Sequence, residues 1–218
     1  MSAAFRARAG RHFLLAVAAM ALVVAASNVL VQHPVAWWGL QDWLTWGAFT
    51  YPAAFLVTDV ANRRFGPLGA RRVVYVGFAL AVGLSVWLAT PRIAIASGTA
   101  FLAAQLLDIS LFQRLRGRSW WVPPFLSSVV SSGLDTILFF SLAFFCGPIP
   151  GLGFTISDGL GALGLADACP ALPWQTLAIA DYGVKLALAA LFLAPYGALA
   201  RGLGPAPAGP APGSLQRA

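Results

Sequence analysis

The chain has 218 residues, of which 59% are hydrophobic and 10% charged, and its net charge is +7. With a mean hydropathy of +0.78, this composition excludes a soluble globular domain and describes a polytopic membrane protein with room for about six spans of ~20 residues. A basic excess in a soluble chain would point to nucleic acid, but here the arginines fall in short loops, so no nucleic-acid partner is expected.

Residues 1–11 form a basic leader with Arg6, Arg8 and Arg11. Residues 12–31 are the first expected span. They imitate a signal peptide, with Ala25-Ala26 near a plausible cleavage point. The apolar run continues past Asn28 to Val31, so a retained span is expected. The second span, about 44–60, contains Pro52, which removes a backbone donor and should kink or break the helix; Asp59 near its end is four residues from Arg63 and within pairing range. Residues 62–72 are expected as a loop carrying four arginines, and 73–89 as an apolar third span. A short turn holding Arg92 leads to the fourth span, 93–112, and the fifth follows at 122–145. A Gly/Pro-rich loop, 147–173, precedes the sixth, 174–199. The tail 204–218 is rich in Pro and Ala and is expected to be disordered. One transmembrane domain, 12–203, therefore lies between leader and tail.

Basic residues set the orientation. The leader, the second-to-third and fourth-to-fifth loops, and the tail hold 3, 4, 3 and 2 of them, whereas the opposite loops hold only Arg92. By the positive-inside rule both termini are cytoplasmic. Six of the eight tryptophans lie at the outer ends of spans, as an interfacial belt would. Cys146 and Cys169 both fall on the outer side, and the sequence leaves open whether they pair.

All seven acids are aspartates and the one lysine is Lys185. There is no Walker-type phosphate loop, no HExxH or GxSxG, and no metal-ligand spacing of the cysteines. No metal, no cofactor and no built-in ATP-driven motor are expected. A pair of aspartates could serve as acid and base, but without an activated nucleophile or a histidine inside a span an enzyme is not the expected class.

The polar residues inside the spans carry the functional argument. In the fourth span Phe101, Gln105, Asp108 and Phe112 recur at steps of three or four and share a stripe; in the fifth, Ser128, Ser132, Asp135 and Phe139 do the same. A carboxylate at mid-span costs roughly 2.5–3.5 kcal/mol on insertion scales, so it is expected to face inward. Asp181 and Lys185 are one turn apart in the sixth span, and Asn28 lies in the first. A carboxylate can accept from the two adjacent N–H groups of a guanine-like edge, while Lys, Asn or Gln donates to its carbonyl. That chemistry fits a purine-like ligand and equally other small polar heterocycles.

Several segments in this order resemble a known family: Ser-Asn-Val-Leu-Val-Gln at 27–32, Thr-Trp-Gly-Ala-Phe at 45–49, Thr-Asp-Val-Ala-Asn-Arg-Arg-Phe-Gly at 58–66, Gln-Leu-Leu-Asp-Ile-Ser-Leu-Phe-Gln-Arg-Leu-Arg at 105–116, Trp-Trp at 120–121, Asp-Thr at 135–136, and Asp-Tyr at 181–182 with Lys185. Together they resemble the queuosine precursor transporters of the YhhQ type, within the vitamin uptake transporter group. The resemblance implies an all-α fold of six transmembrane helices, similar to the substrate-binding subunits of vitamin transporters, in the bacterial inner membrane. It implies import of 7-cyano-7-deazaguanine, its 7-aminomethyl relative, or both. The expected substrate-binding residues are Asp108, Gln105 and Asp135 as a pocket floor, completed by Asn28, Asp181 and Lys185. The alternative is a binding subunit for another heterocycle or vitamin that needs a separate ATPase module. The energising partner and a homo-oligomeric state are left open.

Overall fold

The computed structural model describes residues 3–31, 33–37, 39–40, 44–88, 91–146 and 174–203. Its helices are α1 (Ala3–Leu30), α2 (Gly47–Thr50), α3 (Ala53–Leu88), α4 (Pro91–Leu115), α5 (Val122–Phe144), α6 (Trp174–Leu191) and α7 (Leu193–Leu203). Among the described residues, five stretches are long and apolar enough to cross a membrane: Gly10–Leu30, Gly47–Leu84, Arg92–Leu115, Val122–Phe144 and Trp174–Gly202. The outward-facing side chains fit lipid contact, with Leu22, Trp87, Ile95, Ile137 and Ile179 exposed on the bundle surface. Cys169, the 147–173 loop and the 204–218 tail lie outside the described residues.

The stretch Gly47–Leu84 is 38 residues long. A straight helix of that length would extend about 57 Å, nearly twice the ~30 Å hydrocarbon core. It does not run straight. Gly66 adopts φ 73°, ψ −178°, a conformation open to glycine and closed to most other residues, and Pro67 restarts the helix at once from its first position. Residues 62–72, expected as a loop, are therefore helical on both sides of a single break.

Contacts along the two arms of α3 show that the chain reverses there. Before the break, Ser27 Oγ donates to Thr50 Oγ1 of α2 at 3.0 Å and Phe13 meets Phe65 of α3 edge to face, so α2 and the first arm of α3 together run antiparallel to α1. After it, Gly77 packs against Met20, back at the middle of α1. α4 agrees. Phe101 meets Tyr51 and Asn62 Nδ2 donates to the Ile109 carbonyl, which runs α4 parallel to the first arm. Gly98 lies against Phe78 and Val82, which runs it antiparallel to the second.

Pro52 acts as the sequence suggests. α2 ends at Thr50 and α3 begins at Ala53. Across the turn the bonds tighten to the i→i+3 type, with Ala54 N–H donating to Tyr51 O and Phe55 N–H to Pro52 O. The expected sixth span is also interrupted: α6 gives way to α7 at Phe192, and Pro195 lacks the donor that would continue the ladder. This turn lets Tyr196 pack against Phe112, Leu56 and Val60.

Arg92, the one basic residue at its end of the sequence pattern, caps a helix. Its Nε donates to Leu142 O and its Nη2 to Phe145 O, both at 2.8 Å, and its Nη1 approaches Cys146 Sγ at 3.3 Å. Carbonyls at the last turn of α5 thus gain charged donors. Replacing Arg92 by alanine should cost about 1.5–3 kcal/mol, read as a lower melting temperature of the purified protein; an unchanged value would show that the cap contributes nothing.

Candidate functional site

Two polar clusters occupy the interior, one on each side of α5. The first joins α3 to α4. Thr58, Asp59 and Asn62 fall on one face of α3, at steps of one and three. Opposite them, Gln105, Asp108 and Ile109 present the matching face of α4. Thr58 Oγ1 donates to Gln105 Oε1 at 2.5 Å, and Gln113 Nε2 donates to Asn62 Oδ1. Asp59 and Asp108 stand carboxyl against carboxyl, with the Ser127 hydroxyl beside both. Asp59 Oδ2 accepts a long bond from Ser128 Oγ, 3.4 Å. Asp59 Oδ1, both oxygens of Asp108 and Ser127 Oγ are buried without a well-formed hydrogen bond.

The second cluster joins α5 to α6. Lys185 Nζ lies 2.8 Å from Asp135 Oδ2 and 2.5 Å from Asp181 Oδ2, and donates to Thr136 Oγ1 at 3.0 Å. Its three donors are thereby used. Thr136 Oγ1 donates in turn to Asp181 Oδ2 at 3.0 Å. From the Pro52 turn, Tyr51 donates its hydroxyl proton to Asp135 Oδ1 at 2.9 Å, and its ring lies 5.6 Å from the ammonium. The broken helix therefore lines the polar interior, the setting in which irregular backbone is tolerated at membrane depth.

A narrow, partly open cleft runs between the clusters. Asp59, Ser128, Ser132 and Lys185 form its polar lining, and Pro52, Phe55, Phe192 and Tyr196 are among its apolar neighbours.

Of the six residues expected from the sequence, Asp135, Asp181 and Lys185 come together in one network, and Lys185 reaches the cleft. Gln105 and Asp108 are fully buried behind Asp59. Asn28 is half-buried on α1, its Nδ2 donating to Val24 O one turn earlier. The stripe on α4 is as expected, with Phe101, Gln105, Asp108 and Phe112 all buried; on α5, Ser128, Ser132 and Asp135 are buried and Phe140 takes the place expected for Phe139.

Sequence reasoning missed Tyr51, Thr136 and Ser127 as partners, and placed Asp59 with Arg63. The ion pairs among the described residues are those of Lys185; Asp59 turns to Asp108 and Ser128 instead. The i, i+1, i+4 polar pattern of Thr58, Asp59 and Asn62 was the available signal for this second helix face.

Comparison with known proteins bears on what this interior serves. The family model described as "Putative vitamin uptake transporter" matches residues 45–90 and 84–199. The chain is 33% identical over 202 residues to the "Queuosine precursor transporter" of Escherichia coli (strain K12), covering 82% of this chain and 81% of the relative. It is 32% identical over 204 residues, 79% of each chain, to the "Probable queuosine precursor transporter" of Haemophilus influenzae, and 28% identical over 146 residues to a protein of that name in Bacillus subtilis. No solved structure matches the chain.

Proposed function

The chain belongs to the vitamin uptake transporter family, and we propose that it imports queuosine precursors, 7-cyano-7-deazaguanine and its 7-aminomethyl relative, across the bacterial inner membrane. The observation that carries this reading is the similarity to named queuosine precursor transporters over about four fifths of both chains. The cleft supports it chemically. Asp59 presents Oδ2 at the cleft wall, where it can accept from one N–H of a deazaguanine edge, and Ser128 and Ser132 offer hydroxyls beside it. Phe55, Phe192 and Tyr196 supply aromatic surface for the flat ring, where stacking contributes roughly 1–3 kcal/mol per base in nucleic-acid binders. The 7-aminomethyl substrate is a cation and gains from the same carboxylate.

The other residues act from behind this wall. Asp135 and Asp181 hold Lys185 at the cleft edge, and Gln105 and Asp108 back the Thr58–Asp59 segment. The proposed topology has six passes and cytoplasmic termini. It is supported by the reversal at Gly66 and by the gathering of Arg63, Arg64, Arg114, Arg116 and Arg118 near the Gly66 end of the helices.

Binding by the purified protein tests the substrate assignment. 7-Cyano-7-deazaguanine should raise its melting temperature in a concentration-dependent way, while biotin, thiamine and riboflavin should not. Stabilisation by one of those vitamins and not by the deazaguanine would contradict the assignment.

A further inference from the structure

The Asp59–Asp108 pair has a feature that substrate recognition leaves unexplained. Two carboxyls face each other inside the bundle, at 2% and 0% exposure. The ion pairs among the described residues are made by Lys185 with Asp135 and Asp181, so no basic side chain is bonded to this pair. Arg63 lies one turn further along α3, Tyr196 approaches from α7, and Lys185 sits across the cleft with its donors engaged. Gln105, from α4, is neutral and turns its carbonyl oxygen to Thr58. Two ionised carboxylates in such a place are untenable without a compensating positive charge.

An independent observation points to the same spot. Ser127, on α5, is fully buried. Its hydroxyl lies beside both carboxyls yet forms no well-made hydrogen bond, as is also true of three of the four carboxyl oxygens. Three helices thus direct hard oxygen atoms at one point. Oxygen sets of this kind suit a proton shared between carboxyls or a small hard cation.

We propose that Asp59, Asp108 and Ser127 form the binding site for a monovalent coupling cation, a proton or sodium, that drives accumulation of the substrate. The inference rests on the transport reading above and supplies its driving force. Coupling follows from the shared residue: Asp59 faces the cation with one oxygen, while its other oxygen accepts from Ser128 at the cleft wall. Cation binding quenches the repulsion within the pair and fixes Asp59 and Ser128 for the substrate. By linkage, bound substrate favours the cation equally. Carrying both together and releasing both inside couples the gradient to uptake.

The test uses the full-length protein, purified and alone in vesicles, with labelled 7-cyano-7-deazaguanine and the membrane potential clamped. Exchange of labelled for unlabelled substrate without any gradient is measured first. A tenfold inward proton gradient and a tenfold inward sodium gradient are then imposed separately. One of them should drive accumulation above equilibrium, up to about tenfold for one cation per substrate, and which one does so identifies the cation. In D59N and D108N the ratio of uptake with that gradient to uptake without it should fall to about one. In S127A the cation concentration for half-maximal stimulation should rise several-fold, a readout that does not require loss of either carboxyl. Exchange in the wild type without accumulation under either gradient would overturn the coupling site and leave the transport reading intact. A full gradient response in D108N would likewise overturn the site. Absence of exchange would overturn the transport reading and the coupling with it.

Discussion

Replacing Lys185 by methionine is expected to abolish uptake and to destabilise the protein by about 3–5 kcal/mol, the range for removing one partner from a buried charged pair. The ammonium is the one positive charge bonded to Asp135 and Asp181, and both carboxylates would be left in the interior. A second variant separates folding from function. In K185M/D135L the apolar pair restores part of the lost stability, because one uncompensated charge goes with the cation. Uptake stays absent, since the edge of the cleft has lost its only ammonium. Melting temperature and uptake are measured on the same preparations. Recovery of uptake along with stability would show that Lys185 serves packing alone.

Replacing Asp108 by asparagine is expected to lower gradient-driven uptake about tenfold, the accumulation that a tenfold cation gradient supports, with the protein still present in the membrane at normal levels. The substitution keeps the shape of a fully buried side chain and removes its charge. It therefore spares the packing of α4 against α3, where Gln105, Ile109 and Gln113 hold the helices together. Normal transport by this variant would exclude Asp108 from the site.

Much of this architecture was legible in the sequence because a membrane simplifies the problem. Apolar runs of span length and the inward placement of Asp108 and Asp135 follow from the cost of exposing charge to lipid. The break at Pro52 follows from its missing N–H. Four arginines in 62–72 predict a loop; Gly66 and Pro67 instead compress the reversal into a single residue, and helix continues on either side. Arg92 looked like an exception to the charge asymmetry, and its role appears only once the end of α5 is placed beside it.

The site was less legible. Residues on one helix can be grouped by their spacing, which is how Asp181 and Lys185 were paired and how the α4 stripe emerged. Spacing says nothing about which helix faces which. Thus the sequence groups Asp135 and Lys185 in one pocket without joining them, and Tyr51, 84 positions before its partner Asp135, carries no signal. Asp59 was given to Arg63 because they are four apart, whereas tertiary packing delivers Asp108 and Ser127 to it from two other helices.

The central claim is that this chain brings queuosine precursors across a membrane. The most direct measurement is rescue of a bacterial host that can neither make the precursor nor import it. The chain is expressed there, 7-cyano-7-deazaguanine or its 7-aminomethyl relative is supplied at limiting concentration, and queuosine is measured in tRNA. Restored queuosine, lost again in K185M, is the predicted result. No queuosine above the empty-vector level, with the wild-type protein shown to be folded in the membrane, would contradict it.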